Sequence, residues 1–333
     1  MRPNRSLAPT FGLVLVAAGL WSLAADEQDA KTEKPSDFLR FVENEDGAQL
    51  RTSIVTYKRD DGARVHLVGA LHIAEKSYFK DLQKTFKDYD ALLYELVGDR
   101  PPPPGARSSN PLSMLQRWMK NTLELEFQLD AIDYRKKNFI HADMNVETYL
   151  RLSRERGESI FSLMLRAMQH ELERQRRGEQ VAQITIVDLV RVFLSKNRSN
   201  QMKLVFGRQF EHIEATLSGL EGKQGSVILT ERNKVAMRVL KEALDDGKEN
   251  IGNFYGAGHM PDLEKRLLKL GFKKTASEWR VAWNMPSDDK NEKKDEKKDD
   301  KKTGDTKEGD TKEGDTTKSD EKKDSKKPRR ARV

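Results

Sequence analysis

The chain has 333 residues, with 61 Lys and Arg against 54 Asp and Glu, a net charge of +7 and no cysteine. Without a thiol it has no disulfide, thiolate metal ligand, cysteine nucleophile or lipidated cysteine, so any metal must sit on His, Asp or Glu. The sequence pI near 9.2 is a weak pointer to nucleic acid, because basic residues alternate with acids on the helical faces and no aromatic-studded basic groove is visible; nucleic acid is not an expected partner.

In chain order, Arg2 and Arg5 precede an apolar run from Phe11 to Ala25, and Ser22-Leu23-Ala24 or Leu23-Ala24-Ala25 offers a small-residue cleavage site. This reads as a signal peptide over 1–25 of a secreted or periplasmic protein. The run falls short of the roughly 20 apolar residues a span requires, and no later segment reaches that length, so no stable membrane insertion is expected after cleavage. One folded unit is expected over 26–286. Leu50 to Tyr57 alternates apolar and polar residues, Asp60-Asp61-Gly62 supplies a turn, and Val65 to Leu71 is a more apolar strand, together a hairpin that ends at His72. From Glu75 the period turns helical, with Tyr78, Phe79, Leu82 and Phe86 on one face, and Ala91 to Leu96 returns as a buried strand. If the two strands flanking this helix are parallel, as a right-handed crossover requires, His72 and Glu95 emerge at one sheet edge.

Arg100-Pro101 to Pro104-Gly105 is a proline loop, and Pro111 to Leu129 reads as an amphipathic helix. Asn138 to Met144 is a third short strand, followed by a helix that Asn145 can cap. The stretch from Val146 to about Leu244 is largely helical and charged, and Glu231-Arg232-Asn233 opens a helix running through Met237 and Leu240. Asn250 to Tyr255 is a fourth strand that delivers Gly256-Ala257-Gly258-His259; a helix from Pro261 to Leu270 and a strand from Ser277 to Trp283 follow. The fold class is therefore α/β: a mixed central sheet with flanking helices and a largely helical central insertion. From 287 to 333 nearly every residue is Lys, Asp, Glu, Gly, Thr or Ser, with Gly-Asp-Thr-Lys-Glu repeated at Gly304 and Gly309. That composition forms no core and reads as a disordered, charged low-complexity tail.

The chemistry centres on two Gly-x-x-His elements, Gly69 to His72 and Gly256 to His259, each closing a strand. Two His and one carboxylate are a usual ligand set for a catalytic divalent ion, and His72, His259 and Glu95 fit it. Glycine three residues before each His would let the backbone approach a metal or substrate closely. His141 and Asp143 would complete a metal shell, orient a ligand His, or simply close the third strand. Arg232 would clamp a substrate carboxylate or oxyanion, or else pair with Glu231 or Asp143. His66 is read as structural, and His170 and His212 as exposed on charged helices. No Gly-x-Ser-x-Gly elbow or phosphate-cradling glycine loop is present.

Val68-Gly69-Ala70-Leu71-His72-Ile73-Ala74, Tyr89 to Leu96, Glu231-Arg232-Asn233 and Gly256-Ala257-Gly258-His259-Met260, in that order, resemble the TraB/GumN family. That family includes the TIKI proteases and is distantly similar to the erythromycin esterase and ChaN proteins. The resemblance spans about Leu50 to Trp283. It implies a metal-dependent hydrolase, peptidase-like, acting on a peptide or other small amide or ester. His72, Glu95 and His259 would be its essential residues, and Arg232 with Asn233 would match the Arg-Asn pair of the GumN-like branch. The rival implication, through ChaN, is a secreted metal- or haem-binding protein that uses the same histidines without catalysis.

Overall fold

The computed structural model describes residues 36–98, 120–177, 186–210 and 225–287. The expected signal peptide, proline loop, charged tail and His212 lie outside the described residues. So do positions 111–119 of the expected amphipathic helix.

The first strand, β1 (Leu39–Asn44), turns back into the long β2 (Gly47–Lys58), which pairs antiparallel with β3 (Arg64–Ala70). A two-residue strand β4 (Ile73–Ala74) precedes helix α1 (Lys76–Thr85) and strand β5 (Ala91–Tyr94). Next come β6 (Glu126–Phe127), α2 (Gln128–Ala131), β7 (Phe139–His141) and the largely helical stretch α3 (Val146–Glu155), α4 (Ile160–Arg176), α5 (Ile186–Leu194) and α6 (Arg198–Phe210). Helix α7 (Arg232–Asp245), strand β8 (Asn250–Gly256), helix α8 (Met260–Lys269) and strand β9 (Lys273–Pro286) complete the order.

Seven strands form one mixed sheet. β8 pairs parallel with β3 on one side and with β5 on the other, and β5 pairs parallel with β7. The two strands flanking α1 thus run the same way, as expected, but β8 lies between them. β9 pairs with β2 over Gly47 to Lys58, while β1 takes residues 47–52 and β3 takes 54–58 of the same strand. Because a strand has two edges, β1 and β3 must lie end to end along the edge opposite β9. β9 is also longer at both ends than the expected Ser277 to Trp283.

Successive residues of the parallel strands point to opposite faces, and both faces are covered, which explains their nearly continuous apolar runs. Val68, Leu92, Tyr94 and Phe254 pack on one side with Tyr78, Phe79 and Leu82 of α1. Leu67, Leu93, Ile251 and Tyr255 pack on the other with Ala236 and Leu240 of α7 and with Leu263 and Leu267 of α8. Asn145 caps α3 as expected, accepting from the Thr148 amide.

The helix expected to continue to Leu129 does not. It ends with a turn at 120–123, and Glu124 sits at φ 52°, in the left-handed region. Helix continuation would cost the burial of both Leu123 and Leu125, which are 0 and 2 % exposed. The break also lets Phe127 and Glu126 pair with Ile73 and Ala74 just after His72. Among the described residues no helix is long and apolar enough to cross a membrane.

Candidate functional site

The four parallel strands deliver the expected residues to one edge of the sheet. β3 ends at Ala70 with His72 two residues on, β5 ends at Tyr94 with Glu95 next, β7 ends at His141 with Asp143 two residues on, and β8 ends at Gly256 ahead of a 3-10 turn over Ala257–His259. The carboxyl edge of a parallel sheet is where open α/β folds present their ligand sites, since the loops there are free to carry function. Glu95, Asp143 and His259 are buried, and His72 is half-buried.

Arg232 enters this edge from the start of α7. A single π-helical turn, Val227–Glu231, precedes it, closed by the Glu231 amide donating to the Ser226 carbonyl five residues back at 3.0 Å. Glu158 holds that turn by accepting from the Val227 amide at 2.8 Å, and Arg156 donates to Glu231 at 2.5 Å. One-turn π segments recur at functional sites because they re-aim the next side chains.

The guanidinium of Arg232 is only 2 % exposed and stands between two carboxylates. Nε donates to Asp143 Oδ1 at 2.9 Å and Nη2 to Asp143 Oδ2 at 2.5 Å, while Nη2 also donates to Glu95 Oε1 at 2.7 Å. Nη1 faces the Ile228 carbonyl at 3.4 Å and His259 Nε2 at 3.5 Å. The other oxygen of Glu95 accepts from the Gly256 amide at 2.6 Å. His259 Nε2 lies 3.5 Å from Glu95 Oε1, and its Nδ1 is 2.7 Å from Asn233 Oδ1. Burial alone would push Glu95 up, but the Arg232 guanidinium, followed by His259 and His72, overrides it and holds the carboxyl well below the usual range. Burial likewise opposes the charge on Arg232, and the Asp143 and Glu95 carboxylates outweigh it, so its pKa is raised well above the ordinary value.

Of the two readings open for Arg232, the geometry is that of the ion pair. Its partners are Asp143 and Glu95, whereas Glu231 is engaged by Arg156 and Lys234. All its N–H groups are directed at protein acceptors, so Arg232 acts by holding Glu95 and His259 in place. Asp143 is accordingly a partner of Arg232 and orients no imidazole. His141 donates from Nε2 to the Leu96 carbonyl at 2.7 Å, bracing the chain just after Glu95. His66 is structural, bonded to Thr56 and Asn250 and stacked on Tyr89. His170, expected to be exposed, is half-buried, because α4 turns its Nδ1 inward.

The two glycines that open the Gly-x-x-His elements differ. A Cβ on Gly256 would stand 3.3 Å from both Glu95 Oε2 and His72 Nε2, so this glycine admits the carboxylate and the imidazole to the same crevice. A Cβ on Gly69 would meet the Phe38 and Ser53 carbonyls at 3.4 Å and the Ala257 Cα of the second element at 3.7 Å, backbone contacts rather than contacts with the site's side chains. Close approach to the site's side chains is thus seen at Gly256, while Gly69 approaches the backbone of the second element. The Gly256 φ of −52° suits alanine. Gly256→Ala should change the unfolding free energy by no more than about 1 kcal/mol, while displacing Glu95 and His72 and impairing whatever the site does. A melting experiment giving a much larger loss would show that the crevice is tighter than described.

Sequence reasoning missed Asn233 as the partner of His259 and Asp262 as the partner of Asn233, and Gln128, whose backbone N–H donates to the His72 carbonyl at 2.9 Å. Asp262 carried no signal beyond its place in the first turn of a helix. Gln128 follows a helix break that periodicity does not show.

For a divalent cation the chemistry of the donors fits: two imidazoles lie beside a carboxylate, and Glu95 with Asp143 carries one negative charge more than Arg232 neutralises. The spacing is less complete, since among the described residues no group of three or more His, Asp or Glu is arranged to hold a metal ion. Compared with protein-family models, with curated proteins and with solved structures, the chain matches none.

Proposed function

We propose that this chain is a hydrolase of peptide-like amides or small esters, working at the carboxyl edge of β3, β8 and β5. The observation that carries this reading is the convergence on Gly256 of a fixed carboxylate, Glu95, with His72 beside it and His259 3.5 Å from the same carboxylate. A divalent ion held by His72, His259 and Glu95 would polarise the scissile carbonyl and lower the pKa of a bound water.

The chain's own residues divide the remaining work. Glu95, held ionised by Arg232 and the Gly256 amide, is a weak base, and its part is to fix charge and orientation at the crevice. His259 Nε2, the imidazole nitrogen that faces Glu95, would serve either as a ligand of the ion or as the acceptor of the proton from the attacking water, not as both. Arg232 keeps Glu95 aligned and, with Asp143, closes the side of the site next to α7.

The test is hydrolysis of a panel of peptide amides and small esters by the full chain, before and after chelation and metal add-back, beside calorimetric titration with zinc, manganese and haem. Turnover that vanishes with chelator and returns with the ion is the expected result. Tight binding of an ion or haem without turnover would replace the hydrolase with a binding protein. Turnover indifferent to chelator would remove the ion and leave the hydrolase.

A further inference from the structure

Behind His259 lies a chain of polar groups formed by Asn233 and Asp262. Asn233, in the first turn of α7, is fully buried, and both ends of its amide are used. Nδ2 donates to Asp262 Oδ2 at 2.8 Å and to the His259 carbonyl at 3.3 Å, and Oδ1 faces His259 Nδ1 at 2.7 Å. Asp262, in the first turn of α8, also accepts from Arg266 Nε at 2.7 Å.

The orientation of the amide follows from what each partner can offer. A carboxylate paired with a guanidinium has only lone pairs to give, so the NH2 of Asn233 must face Asp262. Its carbonyl oxygen is then the atom that faces the ring. Two acceptors cannot share a bond, so His259 Nδ1 carries the proton. In the neutral ring the lone pair is then on Nε2, which faces the Arg232 Nη1 donor at 3.5 Å and lies 3.5 Å from Glu95 Oε1.

The geometry points to Asn233 and Asp262 as positioning residues that fix His259 as the Nδ1–H tautomer, so that the Nε2 lone pair faces the crevice. The use made of that lone pair, accepting a proton or binding a cation, rests on the hydrolase reading above. The tautomer itself does not. Carboxylate or amide partners behind a working imidazole serve this purpose generally, and losing them costs roughly 10–100-fold in activity or metal affinity.

The experiment is two-bond 1H–15N correlation spectroscopy on the full chain labelled with 15N-histidine, with His259→Ala giving the assignment. The wild type should show His259 protonated on Nδ1 and bare on Nε2. Asp262→Asn, at a half-exposed position that should leave folding intact, lets the Asn233 amide turn over, and a second tautomer should appear. Asn233→Leu should move the ring further toward Nε2–H. Both variants should lower kcat about 10-fold or more with KM nearly unchanged. A wild-type His259 found as Nε2–H overturns the inference whether or not any variant folds. A tautomer unmoved by Asp262→Asn removes Asp262 from the role. If no substrate is turned over, the hydrolase reading falls while the spectra still decide the tautomer.

Discussion

Replacing Arg232 by methionine should lower the unfolding free energy at neutral pH by about 3–5 kcal/mol, the cost of stripping a buried ion pair of one partner. The side chain volume is nearly kept, so the loss comes from charge. Without the guanidinium, Asp143 and Glu95 face each other's field in a region almost without solvent. The pH dependence separates this account from simple loss of packing. In the wild type the folded-state pKa of Glu95 is depressed, so its contribution is present above the unfolded value of about 4.3 and is lost as pH falls toward the folded one. In Arg232→Met burial dominates and the carboxyl pKa moves up, so protonation relieves the variant as acid is added. The difference between the two proteins should therefore be greatest near neutrality and shrink below about pH 5. Urea titrations across that range measure it, and a difference that stays constant would mean the cavity, not the charge, sets the cost.

Much of the frame was legible because the interior strands declare themselves. Val65 to Leu71, Ala91 to Leu96 and Asn250 to Gly256 are short apolar runs closed by turn-type residues, which in a sheet covered on both faces is what sequence can reveal. The joint placement of His72 and Glu95 followed from chain direction alone. The insertion of β8 between β3 and β5 did not, since local pattern holds no record of which parallel strand becomes the neighbour. The ion cluster was also beyond reach as an arrangement. Arg232 lies 89 residues from Asp143 and 137 from Glu95, and nothing in a charge pattern pairs groups at such separations. The break at Glu124 was hidden for a different reason: Leu123 and Leu125 suit a helix or an extended segment equally, and burial against the sheet decides between them. The difference between Gly69 and Gly256 is likewise tertiary, because only the atoms across the crevice distinguish them.

His72→Ala and Leu93→Ala should fail in opposite ways, and the contrast tests whether the sheet edge is a working site. His72 is half-buried and approaches the crevice from a loop, with no hydrophobic cluster depending on its ring. Its removal should leave thermal unfolding of the metal-free protein within about 1 kcal/mol of wild type. Turnover should fall by roughly 10²–10⁴-fold, the range lost with a positioned acid–base group, and a comparable loss is expected for His259→Ala. Leu93 lies two residues before Glu95 and shares its face of the sheet, but sits deeper, in the layer formed with Ala236, Leu240 and Leu263, and has no exposed surface. Its truncation should cost about 2–5 kcal/mol through the cavity left behind, while the fraction that remains folded keeps its turnover per molecule, because no site residue loses a partner. Calorimetry and initial rates on the same preparations decide the matter. If His72→Ala unfolds as readily as Leu93→Ala, the imidazole is part of the scaffold; if it turns over substrate at the wild-type rate, the crevice beside Gly256 is not where hydrolysis occurs.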